Sequence, residues 1–299
     1  MAQGPRPVYV RELVRVATRW PTRLHVNVEK PLTFKGFWFQ FRRMLKHPEA
    51  FGSASRKLGI KAALKLVRIR LGSRRTVYEL RVPQWPHPVY VRGGTSSDAI
   101  VLYEILVTGE YDLIGKLDSA RFIIDGGANI GLASLHLLNR FPGARIVAVE
   151  PAKESAELCR RNLAAYSDRA TVLQGAIWSA NGNLILEPSA EEWTARVRHA
   201  RAGESGSVRA FAMTSLLTLG RASELDLLKL DVEGSEREIF GLGAQDWLPA
   251  VRNIVVELHG RDCDELFFSA MASFDFEMTR QDSVVMCRNI RLRSQVRTA

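Results

Sequence analysis

The run Phe122-Ile123-Ile124-Asp125-Gly126-Gly127-Ala128-Asn129-Ile130-Gly131 constrains this chain more than any other. Three apolar residues lead into an acid and two glycines, and an amphipathic segment carrying Leu132, Leu135 and Leu138 follows. That order predicts a buried strand, a tight turn and a helix. Glycine has no Cβ, so the turn can take positive φ and a ligand can approach the backbone closely. The first amides of the helix lack partners within it and would face such a ligand. A second apolar strand, residues 145–149, ends in Glu150, near the ~20-residue distance at which an acid meets ribose hydroxyls in nucleotide-binding α/β folds.

Two acids at successive strand ends argue against a pyrophosphate ligand, because Asp125 sets a carboxylate beside the loop where phosphate would sit. The pattern suits a nucleoside ligand bearing an ammonium group and no phosphate, and S-adenosylmethionine is such a ligand. Its amino acid end would lie by the loop and its ribose by Glu150. Residues 125–131 resemble the D-x-G-x-N-x-G loop of class I methyltransferases, which makes Asp125, Gly126, Gly127, Asn129, Gly131 and Glu150 the expected cofactor-binding set.

Hydrophobic content of 46% and charged content of 25% suit a soluble globular protein. No run approaches the ~18 consecutive apolar residues of a membrane span. The first residues offer no signal-peptide core. Cys159, Cys263 and Cys287 are widely spaced, and a reduced, cytoplasmic compartment is the simplest reading. Charge is placed unevenly. Residues 1–80 hold 18 Lys and Arg against 4 Asp and Glu, a balance of +14 in a chain of +10 overall, so residues 81–299 carry −4. The basicity belongs to an N-terminal extension over residues 1–75, and it calls for an anionic partner.

Within that extension, residues 11–19 alternate Arg with Val and Leu, and residues 34–43 set aromatics beside cations. Residues 58–71 predict a basic amphipathic helix, with Ile60, Leu64, Val67 and Leu71 between Lys57, Lys61, Lys65, Arg68 and Arg70. Two readings stay open for it. Packing of its apolar face on the main domain is favoured, and peripheral contact with an anionic membrane, at the inner face, is the alternative. Nucleic acid ranks below both. From residue 76 the pattern turns to strands (77–82, 87–92) and a capped helix (99–107).

Alternating strands and helices then predict an α/β fold, a doubly wound and mostly parallel sheet. Strands are expected near 121–125, 145–149, 170–174, 226–231 and 251–257, with two late strands near 274–279 and 283–289. Helices are expected near 130–140, 153–166, 235–242 and 262–273. The stretch 183–211 reads poorly, and its polar part, 187–206, is either a substrate lid or a hairpin without a role. At the end of the third strand, Gln174 is placed to bond the adenine edge and Ala176 to leave room for the base.

The run Leu227-Leu228-Lys229-Leu230-Asp231-Val232-Glu233-Gly234 drives an apolar strand into two carboxylates and a glycine, and Val256-Glu257-Leu258-His259 ends the next strand in an acid and a histidine. Buried carboxylates need a partner or a task, and Lys229 is a candidate partner. Alternation puts positions 257 and 259 on one face. Asp231, Glu233 and His259 are the expected catalytic residues, with His259 or Asp231 taking a proton. A divalent ion among Asp231, Glu257 and His259 is conceivable, but no metal is assigned.

Together with Arg92-Gly93-Gly94-Thr95-Ser96-Ser97-Asp98, Gly109-Glu110-Tyr111, the Asp125 loop and Val149-Glu150-Pro151, these runs resemble the FkbM family of methyltransferases over residues 76–290. The resemblance implies a class I methyltransferase domain over residues 76–299, with a seven-stranded sheet. It also implies S-adenosylmethionine-dependent O-methylation of a small-molecule or glycan acceptor, often a sugar hydroxyl of a glycosylated metabolite, lipid or glycan. The alternative is an RNA or protein methyltransferase that uses the basic extension as a tether. A non-catalytic scaffold and a nicotinamide dehydrogenase are disfavoured by the intact acids.

Overall fold

The computed structural model describes residues 48–115, 117–187, 196–200, 204–205 and 207–293. Residues 11–19 and 34–43 of the basic extension lie outside them, as do 188–195, 201–203 and 206 of the polar stretch. Helix α2 (Ile60–Leu71) stands where a helix over 58–71 is expected; α1 (Pro48–Leu58) precedes it, and the two part at Gly59 with φ 81°. The antiparallel pair β1 (Val77–Leu80) and β2 (Val89–Arg92) comes next. Helix α3 (Asp98–Tyr103) runs on into a π-helical turn, Glu104–Thr108, and a 3-10 turn, Glu110–Ile114.

The main domain then alternates β3 (Phe122–Gly126), α4 (Leu132–Arg140), β4 (Arg145–Glu150), α5 (Lys153–Asn162) and β5 (Ala170–Gln174). Short strands β6 (Ala176–Trp178), β7 (Gly182–Leu186), β8 (Val197–His199) and β9 (Val208–Ala212) lead to α6 (Met213–Leu219). The chain continues with β10 (Leu227–Leu230), the single turn α7 (Glu236–Ile239), β11 (Ile254–Glu257) and α8 (Arg261–Met271). It closes with β12 (Phe274–Gln281) and β13 (Val284–Leu292).

Seven strands form the main sheet in the order β12-β13-β11-β10-β3-β4-β5. Five strands, β11-β10-β3-β4-β5, are parallel, and β13 and β12 add the antiparallel ending. Strand order reverses between β3 and β10, so the carboxyl ends of β3, β4, β10 and β11 open on one crevice. Side chains alternate between two cores, as a sheet covered on both faces requires. Ile123, Ile146 and Ala148 pack under α4 and α5, while Ile124, Val147 and Val149 pack toward α6 and α8.

The first of these cores also takes in Ala54, Leu58, Leu66 and Ile69, so the helical part of the basic segment is packed on the main domain. A row of α2 stays uncovered, with Ile60, Leu64 and Leu71 exposed by 61%, 56% and 71%. The poorly read stretch folds as a second sheet, β6-β9-β7-β8, in which β7 and β8 are a hairpin. No helix among the described residues is long and apolar enough to cross a membrane.

Candidate active site

The crevice is a cavity of about 500 Å³, within the size range of small-molecule sites. Two loops form its floor, and their backbones touch. Gly127 sits at φ 72°, and a Cβ there would meet the Asp231 carbonyl oxygen at 1.7 Å. Only glycine fits, for steric and conformational reasons together. The Asp231 amide in turn donates to the Gly126 carbonyl at 3.1 Å, and the Gly127 and Ala128 amides both donate to the Val149 carbonyl at 3.0 Å.

One wall carries the features of a nucleoside site. Glu150, at the end of β4, accepts the Asn129 amide at 2.8 Å on Oε2 and the Ala152 amide at 2.9 Å on Oε1. Each oxygen keeps a lone pair for a diol. Burial pushes this carboxyl up to about 7, although the two amides and the more distant Lys229 and Arg92 favour its charge. Ala128, Ile130, Val149, Ala176 and Ile177 give apolar walls beside it. Arg92 braces the loop from behind: its guanidinium pairs with Asp98 at 2.8 Å in a buried bridge and donates to Asn129 Oδ1 at 3.2 Å. These residues fit S-adenosylmethionine, since the acid suits its ribose, the apolar walls its base, and the excess of carboxylates its sulfonium and ammonium charges.

Several expected cofactor residues stand elsewhere. Asp125 is wholly buried and does not line the cavity. The β3–β10 register sets it beside Lys229, whose Nζ lies 3.0 Å from Asp125 Oδ1, and Ser134 donates to its other oxygen at 2.6 Å. Lys229 also donates to the Gly127 carbonyl at 2.9 Å. The pair therefore props up the glycine loop from below, sealed away from the cavity. Gly126 is closed in by Ile177 and Leu230, and Gly131 packs α4 against Cys159. Gln174 is exposed and lines no part of the cavity. Gly127, Asn129, Glu150 and Ala176 do line it.

Asp231, Glu233 and His259 meet at the other end, as the sequence predicts. His259 Nε2 lies 3.8 Å from Asp231 Oδ1 and 3.6 Å from Glu233 Oε2. Its Nδ1 is 2.9 Å from Oε1 of Glu236, a fully buried acid that also accepts the Val232 amide and the Cys263 thiol. Burial alone lowers the imidazole pKa. The bond to Glu236 and the charges of Asp231, Glu236 and Glu233 outweigh it and raise the ring to about 10. At neutral pH the free ring is thus already a cation and a donor.

Glu104, from the π-turn, and Glu110, from the 3-10 turn, join Glu257 in this end of the cavity. Burial, then the neighbouring acids, raise all three, Glu110 to about 8; burial and Asp231 raise Glu233 to about 7. Sequence reasoning did not single out Glu104 or Glu236. Each sits where a helical acid normally faces water, and nothing local marks its burial. Glu110 had a signal only in the Gly-Glu-Tyr run.

The family profile described as "Methyltransferase FkbM domain" matches residues 125–281. Among curated relatives, the chain is 32% identical to "Methyltransferase sdnD" of Sordaria araneosa over 195 residues, 54% of this chain and 74% of that protein. It is 27% identical to "Methyltransferase 1" of Beauveria bassiana (strain ARSEF 2860) over 180 residues, 52% of this chain and 71% of that one. A crystal structure of an FkbM methyltransferase from Methylobacillus flagellatus KT aligns with a TM-score of 0.42 at 14% identity, over 82% of this chain and 60% of that one. With the family domain covering both the glycine loop and the Asp231–His259 end of the cavity, the chain belongs to the FkbM methyltransferase family and uses S-adenosylmethionine as its methyl donor.

Proposed function

We propose that this enzyme methylates a hydroxyl oxygen, on a sugar of a glycosylated metabolite, glycolipid or glycan. The observation that carries the reading is the carboxylate-rich acceptor end, where Asp231, Glu233 and Glu257 converge with His259. A polyol offers many O–H donors, and carboxylates accept them in charge-assisted bonds. A hydroxyl is also the acceptor class that must lose a proton as it attacks, which gives a nearby carboxylate a task. The same acids repel phosphate, which weighs against the RNA alternative.

In this reading residues 76–299 form the catalytic domain, and residues 1–75 are a basic extension whose helices α1 and α2 dock on it. Bound S-adenosylmethionine supplies an electrophilic methyl carbon on a sulfonium. Asp231 and the His259 cation orient the acceptor, and Glu233 takes its proton. The S–CH₃ bond breaks as the C–O bond forms, and its electron pair stays on sulfur. Glu233 holds φ 52°, a backbone state costing roughly 1–3 kcal/mol that non-glycine residues keep mainly at functional sites.

Incubation of the enzyme with methyl-labelled cofactor and a panel of sugars, glycolipids and glycans tests the proposal. Label is expected in an ether, stable to mild acid and base. Label found in RNA, or on amine or carboxyl groups of protein, overturns it.

Glu150→Gln is expected to weaken cofactor binding roughly tenfold or more, from loss of about 1.5–3 kcal/mol of bonds to a charged acceptor. Protons compete with the cofactor for the same carboxylate. Wild-type affinity should therefore rise with pH by up to about tenfold per unit below the Glu150 value of about 7, then level off. Calorimetry at several pH values checks both effects, and the variant should lose the pH dependence as well.

The uncovered row of α2 favours one addition, peripheral contact with an anionic membrane. Ile60, Leu64 and Leu71 share a face with exposed Lys61, Lys65 and Arg68, and no acid occurs in residues 50–78. Binding to vesicles containing phosphatidylserine is expected to fall with rising salt, as screening over about 10 Å takes hold at 0.1 M. Equal behaviour on neutral vesicles, or none on either, rules the contact out.

A further inference from the structure

The acceptor end of the cavity has donor geometry that proton transfer alone does not require. Strands β10 and β11 pair in parallel up to Leu230 and Val256, so the next residues, Asp231 and Glu257, emerge side by side. One donor atom each of Asp231, Glu257 and His259 lies within 4.8 Å of the others, and His259 Nε2 is 3.8 Å from Asp231 Oδ1. Around an octahedral ion with bonds of about 2.1 Å, adjacent ligands stand about 3.0 Å apart and opposite ones about 4.2 Å. Small side-chain rotations close this set on an ion.

Outside the three donors, a second layer holds them. Buried Glu236 takes His259 Nδ1 at 2.9 Å, which leaves Nε2 as the nitrogen that faces the carboxylates. Ser283 Oγ donates to Glu257 Oε1 at 2.9 Å, which holds that carboxylate in place. An imidazole braced from behind by a carboxylate is the usual outer arrangement of metal-ligating histidines, and a chance surface group of acids lacks it.

Acids also outnumber bases in the lining there. Glu104, Glu110 and Glu233 line the same space. Lys229, the lysine at hand, is committed to Asp125 and the glycine loop.

The geometry points to a divalent cation of the Mg²⁺ or Mn²⁺ class, bound by Asp231, Glu257 and His259 at the acceptor end of the cavity. Two carboxylates and one imidazole suit such an ion, which would displace the Nε2 proton of the free His259 ring on binding and leave coordination positions open to an acceptor hydroxyl. The functional consequence rests on the hydroxyl reading above. An ion-bound hydroxyl is a stronger acid, so its proton passes more readily to Glu233 while the methyl group is accepted. The bonds made and broken stay the same.

The test uses the full chain, stripped with a chelator, dialysed, and titrated with Mn²⁺ alone while electron paramagnetic resonance follows the free ion. One Mn²⁺ per chain is expected to bind. Asp231→Asn and Glu257→Gln should each weaken it at least about tenfold, and Glu236→Gln, which removes only the brace, by roughly 10–100-fold. Ser283→Ala covers the case in which the buried Glu236 variant does not fold. No saturable binding, or binding indifferent to Asp231→Asn and Glu257→Gln, overturns the site. The two proposals fail separately: full turnover by stripped enzyme removes the ion alone, and Mn²⁺ binding without methylation of any hydroxyl removes the acceptor class alone.

Discussion

Lys229→Met is expected to destabilise the fold by about 3–5 kcal/mol, the range for removing one partner of a buried ion pair. Lys229 is 3% exposed, and its loss leaves the Asp125 carboxylate sealed in the sheet with only the Ser134 hydroxyl for company. It also takes a donor from the Gly127 carbonyl, so the glycine loop loosens together with the core. At about 2–4 °C per kcal/mol for a chain of this size, the melting temperature should fall by roughly 6–20 °C. Thermal unfolding followed by circular dichroism measures the drop. The double variant Asp125→Asn, Lys229→Met separates the causes. If the orphaned charge dominates, the second change restores a large part of the loss; if the double variant is no better than the single one, the bond to Gly127 carries the effect.

The second large effect is kinetic. Glu233→Gln should lower kcat by about 10²–10⁴ at saturating acceptor, the usual consequence of losing a proton acceptor. The amide nearly matches the carboxylate in shape, and Glu233 lies at the far end of the cavity from Glu150, so the dissociation constant for S-adenosylmethionine should stay within about twofold. Single-turnover methyl transfer with calorimetry in parallel makes the comparison. Unchanged turnover moves the proton to another carboxylate. Lost cofactor binding reassigns Glu233 to the cofactor's half of the cavity.

The fold was legible because it is written locally. Apolar runs that end in acids or glycines mark the inner strands, and seven of the expected strand positions coincide with main-sheet strands to within a few residues. The site was legible only where function sits at a strand end. Asp125 shows what a linear reading lacks. A carboxylate before a glycine turn looks the same whether it meets a ligand or a cation, and what decides is register with Lys229, 104 positions away. Glu236 and Glu104 are invisible for a related reason: burial of a helical acid depends on what packs above it. The sheet of β6 to β9 was missed because its strands span three to five residues and a polar stretch interrupts them.

The contact of Gly127 with the Asp231 backbone bears on how such an enzyme can change substrates. The strand ends that hold donor and acceptor are tied laterally by main-chain bonds, Asp231 to Gly126, Gly127 to Val149 and Gly175 to Glu150. Under the proposed function, the line along which the methyl group travels would therefore be a property of the sheet, and alignment of this kind is where much of the rate acceleration in a two-reactant transfer originates. The covering wall is built from other material: Ile100, Val101 and Glu104 come from α3 and its π-turn, and Val197 comes from the β8 hairpin. A lineage can recut that wall for a larger or differently charged acceptor and leave the trajectory untouched. Selectivity and alignment are thus encoded in separate parts of the chain, free to drift at different speeds.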